Sequence, residues 1–308
     1  MLDSTIQGTV PHQATPWLAF AALFAGNLFL AIGPWMVRMT TADGAVGPVA
    51  AGFWRLLLAA PILLLLTRVT RQPIGRMSPR LWLTIGIAGL MFAGDLSLWH
   101  IAILKTKLAN ATLFANISSL LFPLYGFLIA RSWPSRTQGV AMLLAAIGAL
   151  FLLGRSYELS AQNLKGDILC LLAGSFYCLY LIAIDRARGV VKPWPLITLS
   201  TIGGILPMLL ATWIVGEPLL PREWGMLVGM MFVSQIFGQG LMIYAMGYMK
   251  PIVIGLTFLS QPIIAALIGW MAYGETMTPL DIVGAVAIAV ALVLVTTDPS
   301  RDRARKSR

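Results

Sequence analysis

The polar residues of this chain fall in clumps, and between the clumps run stretches of roughly 17 to 25 predominantly apolar residues. That is the length an α-helix needs to cross about 30 Å of hydrocarbon, because each residue advances it about 1.5 Å. Ten runs can be marked: Trp17 to Val37, Val49 to Thr67, Leu81 to Leu104, Leu108 to Ala130, Gln138 to Gly154, Gly166 to Ile184, Leu196 to Val215, Trp224 to Tyr248, Pro251 to Tyr273 and Leu280 to Thr297. Proline stands at several junctions (Pro48, Pro79, Pro134, Pro195, Pro221, Pro251 and Pro279), where it caps or kinks a helix end. The pattern predicts an all-α polytopic membrane protein of ten transmembrane helices.

A second regularity appears when the chain is slid on itself by about 143 residues. Thr106-Lys107-Leu108 then falls near Met249-Lys250-Pro251, Asn116-Ile117-Ser118-Ser119 falls on Leu259-Ser260-Gln261-Pro262, and Gly126 falls on Gly269. After a slip of about two residues Pro134 meets Pro279 and Gly139 meets Gly284. The expected organisation is two five-helix repeats, residues 17–154 and 166–297, flanked by tails 1–16 and 298–308. Because five is odd, the second repeat must enter the membrane from the opposite face. Such inverted repeats place a substrate site between the halves near the midplane and work by alternating access.

Composition agrees with a lipid solvent. Of 308 residues, 58% are hydrophobic and 11% charged, with mean hydropathy +0.82, against about 25% charged in a soluble domain. A net charge of +10 would point to nucleic acid in a soluble protein, but here lysine and arginine lie at the ends of apolar runs. With the N-terminus inside, fifteen of them fall on one side of the membrane, six on the other, and Arg55 within a run. The positive-inside rule then places both termini in the cytoplasm, with the cytoplasmic (inner) membrane as the expected location and no nucleic acid as partner. Residues 1–16 hold no lysine, arginine or apolar core, so they read as a short disordered cytoplasmic tail rather than a signal peptide. Cys170 and Cys178 are eight residues apart on one predicted helix, about 12 Å of rise and beyond the roughly 7 Å limit for a disulfide. No metal-ligand spacing and no phosphate-cradling glycine loop is present, so no cofactor, metal or nucleotide drive is expected.

The densest polar chemistry lies between Leu81 and Phe127: Asp95, His100, Lys105, Lys107, Asn110, Asn116, Ser118 and Ser119 among leucines and aromatics. Ionisable residues at spanning depth are costly in lipid and mark functional sites by default. Arg55 lies about 9 Å from the outer start of its run and Asp95 about 21 Å from the inner start of the next, so both stand roughly 21 Å above the inner boundary. They are expected to pair; the competing reading is that Arg55 reaches to the outer interface. Asp95 is the coupling-proton candidate, or, if Arg55 neutralises it, a structural partner. His100 stands about 140° round the helix from Asp95, either as a proton-sensitive gate or as an interfacial residue beside Trp99, with the second favoured.

Uncharged polar residues at depth are Asn27, Asn110, Asn116, Gln235, Gln239 and Gln261, each able to join helices or to line a wet cavity. Asn116 and Gln261 occupy near-equivalent places in the two repeats and are expected to face the cavity. Gln235 and Gln239 form one polar face of the eighth run, serving the cavity or a neighbouring helix. Trp54, Trp99, Tyr177, Tyr180 and Tyr244 can stack on a solute or simply pack. Gly203-Gly204, and Gly225 with Gly229, allow close helix contact. Asp167, Asp185, Glu217 and Glu275 lie at helix ends and are assigned no chemistry.

In order and spacing these residues resemble the drug/metabolite transporter superfamily, in particular chains built of two EamA-type repeats. The resemblance is carried by Gly26-Asn27, Pro48 with Phe53-Trp54-Arg55, and Asp95 through His100 to Asn116. In the second half it is carried by Gln239, Tyr244-Ala245, Ser260-Gln261-Pro262 and Tyr273-Gly274-Glu275. It spans Trp17 to Thr297. The first repeat departs from the pattern: Ser119 stands where such chains usually have proline, and Ala130-Arg131 near a usual Gly-Glu pair, from which a straighter fourth helix is expected. The resemblance implies ten helices, both termini inside, and outward movement of small metabolites, amino acids or drugs. Asn27, Asn116, Gln239, Tyr244 and Gln261 become substrate or cavity candidates, and Arg55, Asp95 and His100 coupling or ion-pair candidates.

The expectation is a secondary-active exporter of a small organic solute coupled to the proton gradient. Its alternatives are an uncoupled facilitator or importer, and a membrane enzyme or sensor. The last is disfavoured because the apolar runs hold one carboxylate away from their ends, Asp95, and one poorly placed histidine, and no loop is long enough for a sensor domain.

Overall fold

The computed structural model describes residues 16–42, 46–106, 108–153, 161–273 and 279–296. Both tails, and the Gly274-Glu275 pair, lie outside the described residues. The helices are α1 (Pro16–Thr41), α2 (Pro48–Val69), α3 (Pro79–Ile103), α4a (Leu108–Ala115), α4b (Ser118–Ala130), α5 (Arg136–Leu153), α6 (Ala161–Ala187) and α7 (Pro193–Val215). They continue as α8 (Gly225–Met230, Met231–Gln239 and Gly240–Met246 end to end), α9a (Pro251–Phe258), α9b (Ser260–Tyr273) and α10 (Pro279–Thr296). Counting each interrupted helix once, the described residues form ten helices, six of them long and apolar enough to cross a membrane unbroken.

Local chemistry sets the ends. Helices α2, α3, α7 and α9a begin on proline at the first turn, where its missing N–H would be unpaired anyway. The Ser78 hydroxyl adds a cap by accepting the Leu81 N–H. Gly216, at φ 75°, closes α7 in the left-handed conformation that glycine adopts without steric cost. Exposed tryptophans gather near helix ends, Trp17 in α1, Trp82 in α3, Trp133 after α4b, Trp213 in α7 and Trp224 before α8, as in the aromatic belts at the two membrane interfaces.

The fourth helix is not straight. It breaks at Asn116 and Ile117, where Ile117 N–H turns back to Phe114 O (3.2 Å) and Ser119 N–H to Asn116 O (2.8 Å). The break forms with serine, not proline, at position 119. A Cβ on Gly174 of α6 would lie 2.2 Å from Ala115 O, so α6 meets the backbone at the break itself. The ninth helix breaks at Leu259, which is 143 residues beyond Asn116 (259 − 116), the offset of the sequence repeat.

Packing follows the repeat as well. Helix α3 packs on α6 as α8 packs on α1, and α4 packs on α6 as α9 packs on α1. Helices α2 and α7, α4b and α9a, and α5 and α10 pair across the halves. At the α3–α7 crossing a Cβ on Gly89 would lie 2.5 Å from the Gly203 carbonyl carbon, the close contact expected of Gly203-Gly204, whereas Gly225 meets nothing within 4 Å.

Loops tie ends that the charge count places on one face. Arg38 Nη2 donates to Ile103 O (3.4 Å) and Thr106 O (3.2 Å), and the Thr106 hydroxyl donates to Asp167 Oδ1 (2.7 Å). On the same face Glu217 Oε2 accepts the Ala50 N–H at 2.9 Å, capping α2. On the opposite face the Trp194 N–H donates to Gln72 Oε1 (3.3 Å).

Candidate functional site

The two helix breaks open onto one cavity between the halves. It leaves about 540 Å³ of atom-free space, its open mouth included. From the first half it is lined by Leu30 and Gly33 of α1, Arg55 of α2, Phe92, Asp95, Leu96 and Trp99 of α3, and Ala115, Asn116 and Ser118 at the α4 break. From the second half come Tyr177 of α6, Ser234 and Gln239 of α8, and Gln261 at the α9 break.

Arg55 and Asp95 do share this cavity, as equal depth predicts, but not as a contact ion pair: among the described residues no N···O distance within 4.0 Å joins them. Arg55, 2% exposed, is not at the interface either. Its Nε–H donates to Gln235 Oε1 (3.1 Å), Gln235 Nε2 donates to Thr201 Oγ1 (2.8 Å), and the guanidinium lies 5.9 Å from the centroid of the Phe92 ring. The arginine is thus held by α8 and α7 of the other half. Asp95, 8% exposed, receives no hydrogen bond from any described residue.

Gln235 and Gln239 do not act as one face. The segment Met231–Gln239 is wound as a π-helix, a local widening common at functional sites. Gln235 is spent on Arg55 and Thr201, while Gln239 Nε2 donates to the Tyr177 hydroxyl (3.3 Å) and lines the cavity.

Asn27 stands behind the cavity wall rather than in it. Fully buried, it donates from Nδ2 to Thr257 O (2.8 Å) and to the Ser260 hydroxyl, and its Oδ1 accepts from Gln261 Nε2 (2.7 Å). Broken helices in a membrane need such partners for the backbone groups they free. Asn27 supplies one and fixes Gln261, which does line the cavity.

His100 and Tyr244 do not line it. His100, expected at the outer interface, is 0% exposed, with Nδ1 2.7 Å from Pro48 O. A carbonyl only accepts, so Nδ1 carries the proton, and Nε2 is left buried without a partner. Its level beside the start of α2 agrees with the depth argument; its exposure does not, because Gly52 of α2 leaves room that Met208 and the ring occupy together. Tyr244 packs on Tyr248 at the end of α8, ring centroids 5.1 Å apart. Trp54 is structural: its Nε1–H donates to Leu219 O (2.6 Å) and its ring meets Trp224 edge-on.

Several polar atoms around the cavity are buried and unpartnered among the described residues: Trp99 Nε1, Asn116 Nδ2, Ser118 Oγ, Ser234 Oγ and Gln239 Oε1. Ser234 and Phe92 are absent from the sequence-based candidates, although Ser234 adjoins Gln235. Buried orphan groups are rare because each costs about 1–3 kcal/mol. They belong to residues that line one space, beside Arg55 and Asp95. Among the described residues no group of three or more histidines, cysteines or carboxylates is placed to hold a metal ion.

Comparison with known proteins agrees with this geometry. The chain is 23% identical over 245 residues to the pseudopaline exporter CntI of Pseudomonas aeruginosa (strain UCBPP-PA14), covering 78% of this chain and 83% of the exporter. It is 25% identical over 134 residues to an uncharacterized transporter of Archaeoglobus fulgidus, covering 43% and 46% of the two chains. A solved crystal structure superposes with a TM-score of 0.70 at 15% identity, over 92% of this chain and 98% of the other, and so shares the fold. The model of the EamA-like transporter family matches residues 16–154 and again 164–297. The chain therefore belongs to the EamA-like transporter family, and is a multi-pass membrane transporter rather than an enzyme.

Proposed function

We propose that the chain is a secondary-active exporter of small organic solutes, driven by the proton gradient across the cytoplasmic membrane. Two inverted five-helix repeats, both termini cytoplasmic, alternate access to the cavity between them. The observation that carries this reading is that Arg55, Asp95 and five residues bearing unpartnered buried polar atoms line one space between the halves at their broken helices. Inverted-repeat carriers place solute and coupling-ion sites at such discontinuous helices. The outward direction draws on the relative that is an exporter. Proton coupling draws on Asp95: a carboxyl at spanning depth with no protein hydrogen bond among the described residues can change protonation without dismantling a salt bridge.

The test is solute uptake and counterflow in proteoliposomes, with and without an imposed pH gradient. Saturable flux that follows the gradient and loses its dependence in Asp95→Asn is the expected result. Flux indifferent to both would make the protein an uncoupled facilitator or importer, leave Asp95 a structural partner of Arg55, and transfer attention to Asn116 and Gln261.

A further inference from the structure

Far from the cavity, the far end of α4b is flanked by cations from three helices. Arg131 is the C-cap of α4b itself. Arg186, in the last turn of α6, holds its guanidinium 5.9 Å from the centroid of the Tyr125 ring. Lys250, the N-cap of α9a, precedes Pro251, whose Cβ lies 2.9 Å from where a Cβ on Gly126 would stand. Tyr125 and Arg131 are six residues apart, about 9 Å along a helix, so all three cations belong to one short stretch. Each is exposed, and among the described residues none is in an ion pair. The carboxylate at this end of α6, Asp185, is taken by Arg188 at 2.7 Å.

The backbone adds a second observation. Arg131 closes α4b at φ 46°, in the left-handed region, which costs a residue with a side chain about 1–2 kcal/mol. At the repeat offset of 143 its counterpart is Gly274, followed by Glu275 (131 + 143 = 274). Arg131-Ser132 therefore put a positive charge where the other repeat has a glycine and an acid. Closing the helix asks for glycine; the arginine serves something else. The surface beside it is apolar, with Leu128, Ile129 and Trp133 exposed by 77%, 64% and 94%.

We propose that this surface binds an anionic phospholipid, its phosphate held by Arg131, Arg186 and Lys250 and its acyl chains against Leu128, Ile129 and Trp133. In the orientation proposed above the lipid belongs to the cytoplasmic leaflet, and only that assignment of leaflet rests on the transport reading. Arginine takes a phosphate through paired hydrogen bonds, and each cation facing anionic lipid contributes about 1 kcal/mol, roughly fivefold in affinity. A soluble anion would match the cations and nothing of the apolar strip. A neutral lipid would match the strip and leave three charges unpaired. An anionic phospholipid matches both. Because Arg131 belongs to one half and Arg186 and Lys250 to the other, the bound lipid bridges the halves where α4b crosses α9a, and stabilises the folded protein by binding it.

The experiment titrates short-chain phosphatidylglycerol into the full-length protein in a neutral detergent and counts bound lipid by native mass spectrometry. Phosphatidylcholine, neutral overall, and glycerol 3-phosphate, a head without chains, are the comparison ligands. Wild type is expected to bind phosphatidylglycerol about tenfold or more tightly than either. Arg131→Gln, Arg186→Gln and Lys250→Gln are each expected to weaken it about fivefold, and the three together about a hundredfold. Removing the same charge at the α2–α3 turn, with Arg68→Gln, Arg76→Gln and Arg80→Gln together, is expected to change it by less than about fivefold. Arg131→Gly separates binding from folding: without lipid it should melt at or above the wild-type temperature, since glycine adopts the left-handed backbone freely, yet lose lipid affinity. A structural defect cannot produce that split. Flux plays no part in these measurements, so their failure leaves the transport reading standing, and its failure leaves them readable. Equal affinity for phosphatidylcholine, equal affinity for glycerol 3-phosphate, or equal loss in the two triple variants would overturn the proposal.

Discussion

The Nε–H of Arg55 points at Oε1 of Gln235 across 3.1 Å, joining the second helix of one half to the eighth helix of the other. The bond orients the cationic end of the cavity without neutralising it, because the glutamine accepts as a neutral group. Gln235→Glu keeps the acceptor and adds a charge, so Arg55 becomes ion-paired and unavailable. We expect unchanged thermal stability with a KM for solute raised at least tenfold. Gln235→Leu instead leaves a buried charged donor unpaired, costing about 1.5–3 kcal/mol of stability. Paired uptake kinetics and thermal unfolding separate the two; equal loss of stability in both variants would refute a positioning role.

A second prediction concerns the ninth-helix break. Asn27 joins Thr257 O, the Ser260 hydroxyl and Gln261 through one amide. Asn27→Ala leaves Thr257 O to the Ser260 hydroxyl and releases Gln261, so a loss of about 1–3 kcal/mol is expected. Because the two residues share a bond, Asn27→Ala and Gln261→Ala are expected to be non-additive by at least about 0.5 kcal/mol in a double-mutant cycle of unfolding free energies. Additive effects would mean that the amide contact is energetically idle.

Which of these features the sequence discloses follows from the physics of each. Hydropathy reports how many residues leave water, so the ten runs end within a few residues of the observed helices, the largest gap being at the start of α6, Gly166 expected against Ala161 observed. Depth arithmetic, which needs only the rise per residue, places Arg55 and Asp95 in one cavity. It cannot choose between partners at the same depth, so Gln235, 180 residues away in sequence, goes unseen as the partner of Arg55. The α4 break also escapes, because no proline stands at position 119 to mark it and the approach of Gly174 on another helix to the backbone there is a tertiary contact. His100 illustrates the same limit: its level is legible, while its burial depends on room at Gly52 that it shares with Met208.

Two glycines three residues apart on α3 give a third prediction. A Cβ on Gly89 would lie 2.5 Å from the Gly203 carbonyl carbon and 2.8 Å from the Gly204 nitrogen, both backbone atoms that cannot step aside. A Cβ on Gly86 would meet nothing within 4 Å. Gly89→Ala is therefore expected to force α3 and α7 apart and cost about 1–3 kcal/mol, with loss of transport. Gly86→Ala should be neutral or slightly stabilising, alanine being the better helix former. Thermal unfolding of the two proteins in the same detergent decides, and similar melting temperatures would disprove the close crossing.

The last prediction rests on Glu217, a residue to which the sequence assigns no chemistry. Its carboxylate caps the start of α2, which carries Arg55, so the α7–α8 loop and the cavity wall are mechanically joined. Removing the cap in Glu217→Ala is expected to cost about 0.5–2 kcal/mol. The group also titrates. Partial burial pushes its carboxyl above the ordinary glutamate value, an effect the Ala50 and Val49 N–H groups offset only in part. With the folded pKa raised, the folded protein keeps a proton that the unfolded chain has released, so this residue's contribution to stability falls as pH rises from the ordinary carboxylate range through the raised pKa, and levels off above it. Glu217→Gln retains an oxygen for the Ala50 N–H but cannot titrate. Unfolding measured from about pH 4 to 7 should therefore show a shallower decline with pH in Glu217→Gln than in wild type, and parallel curves would show that the carboxylate caps the helix without sensing pH.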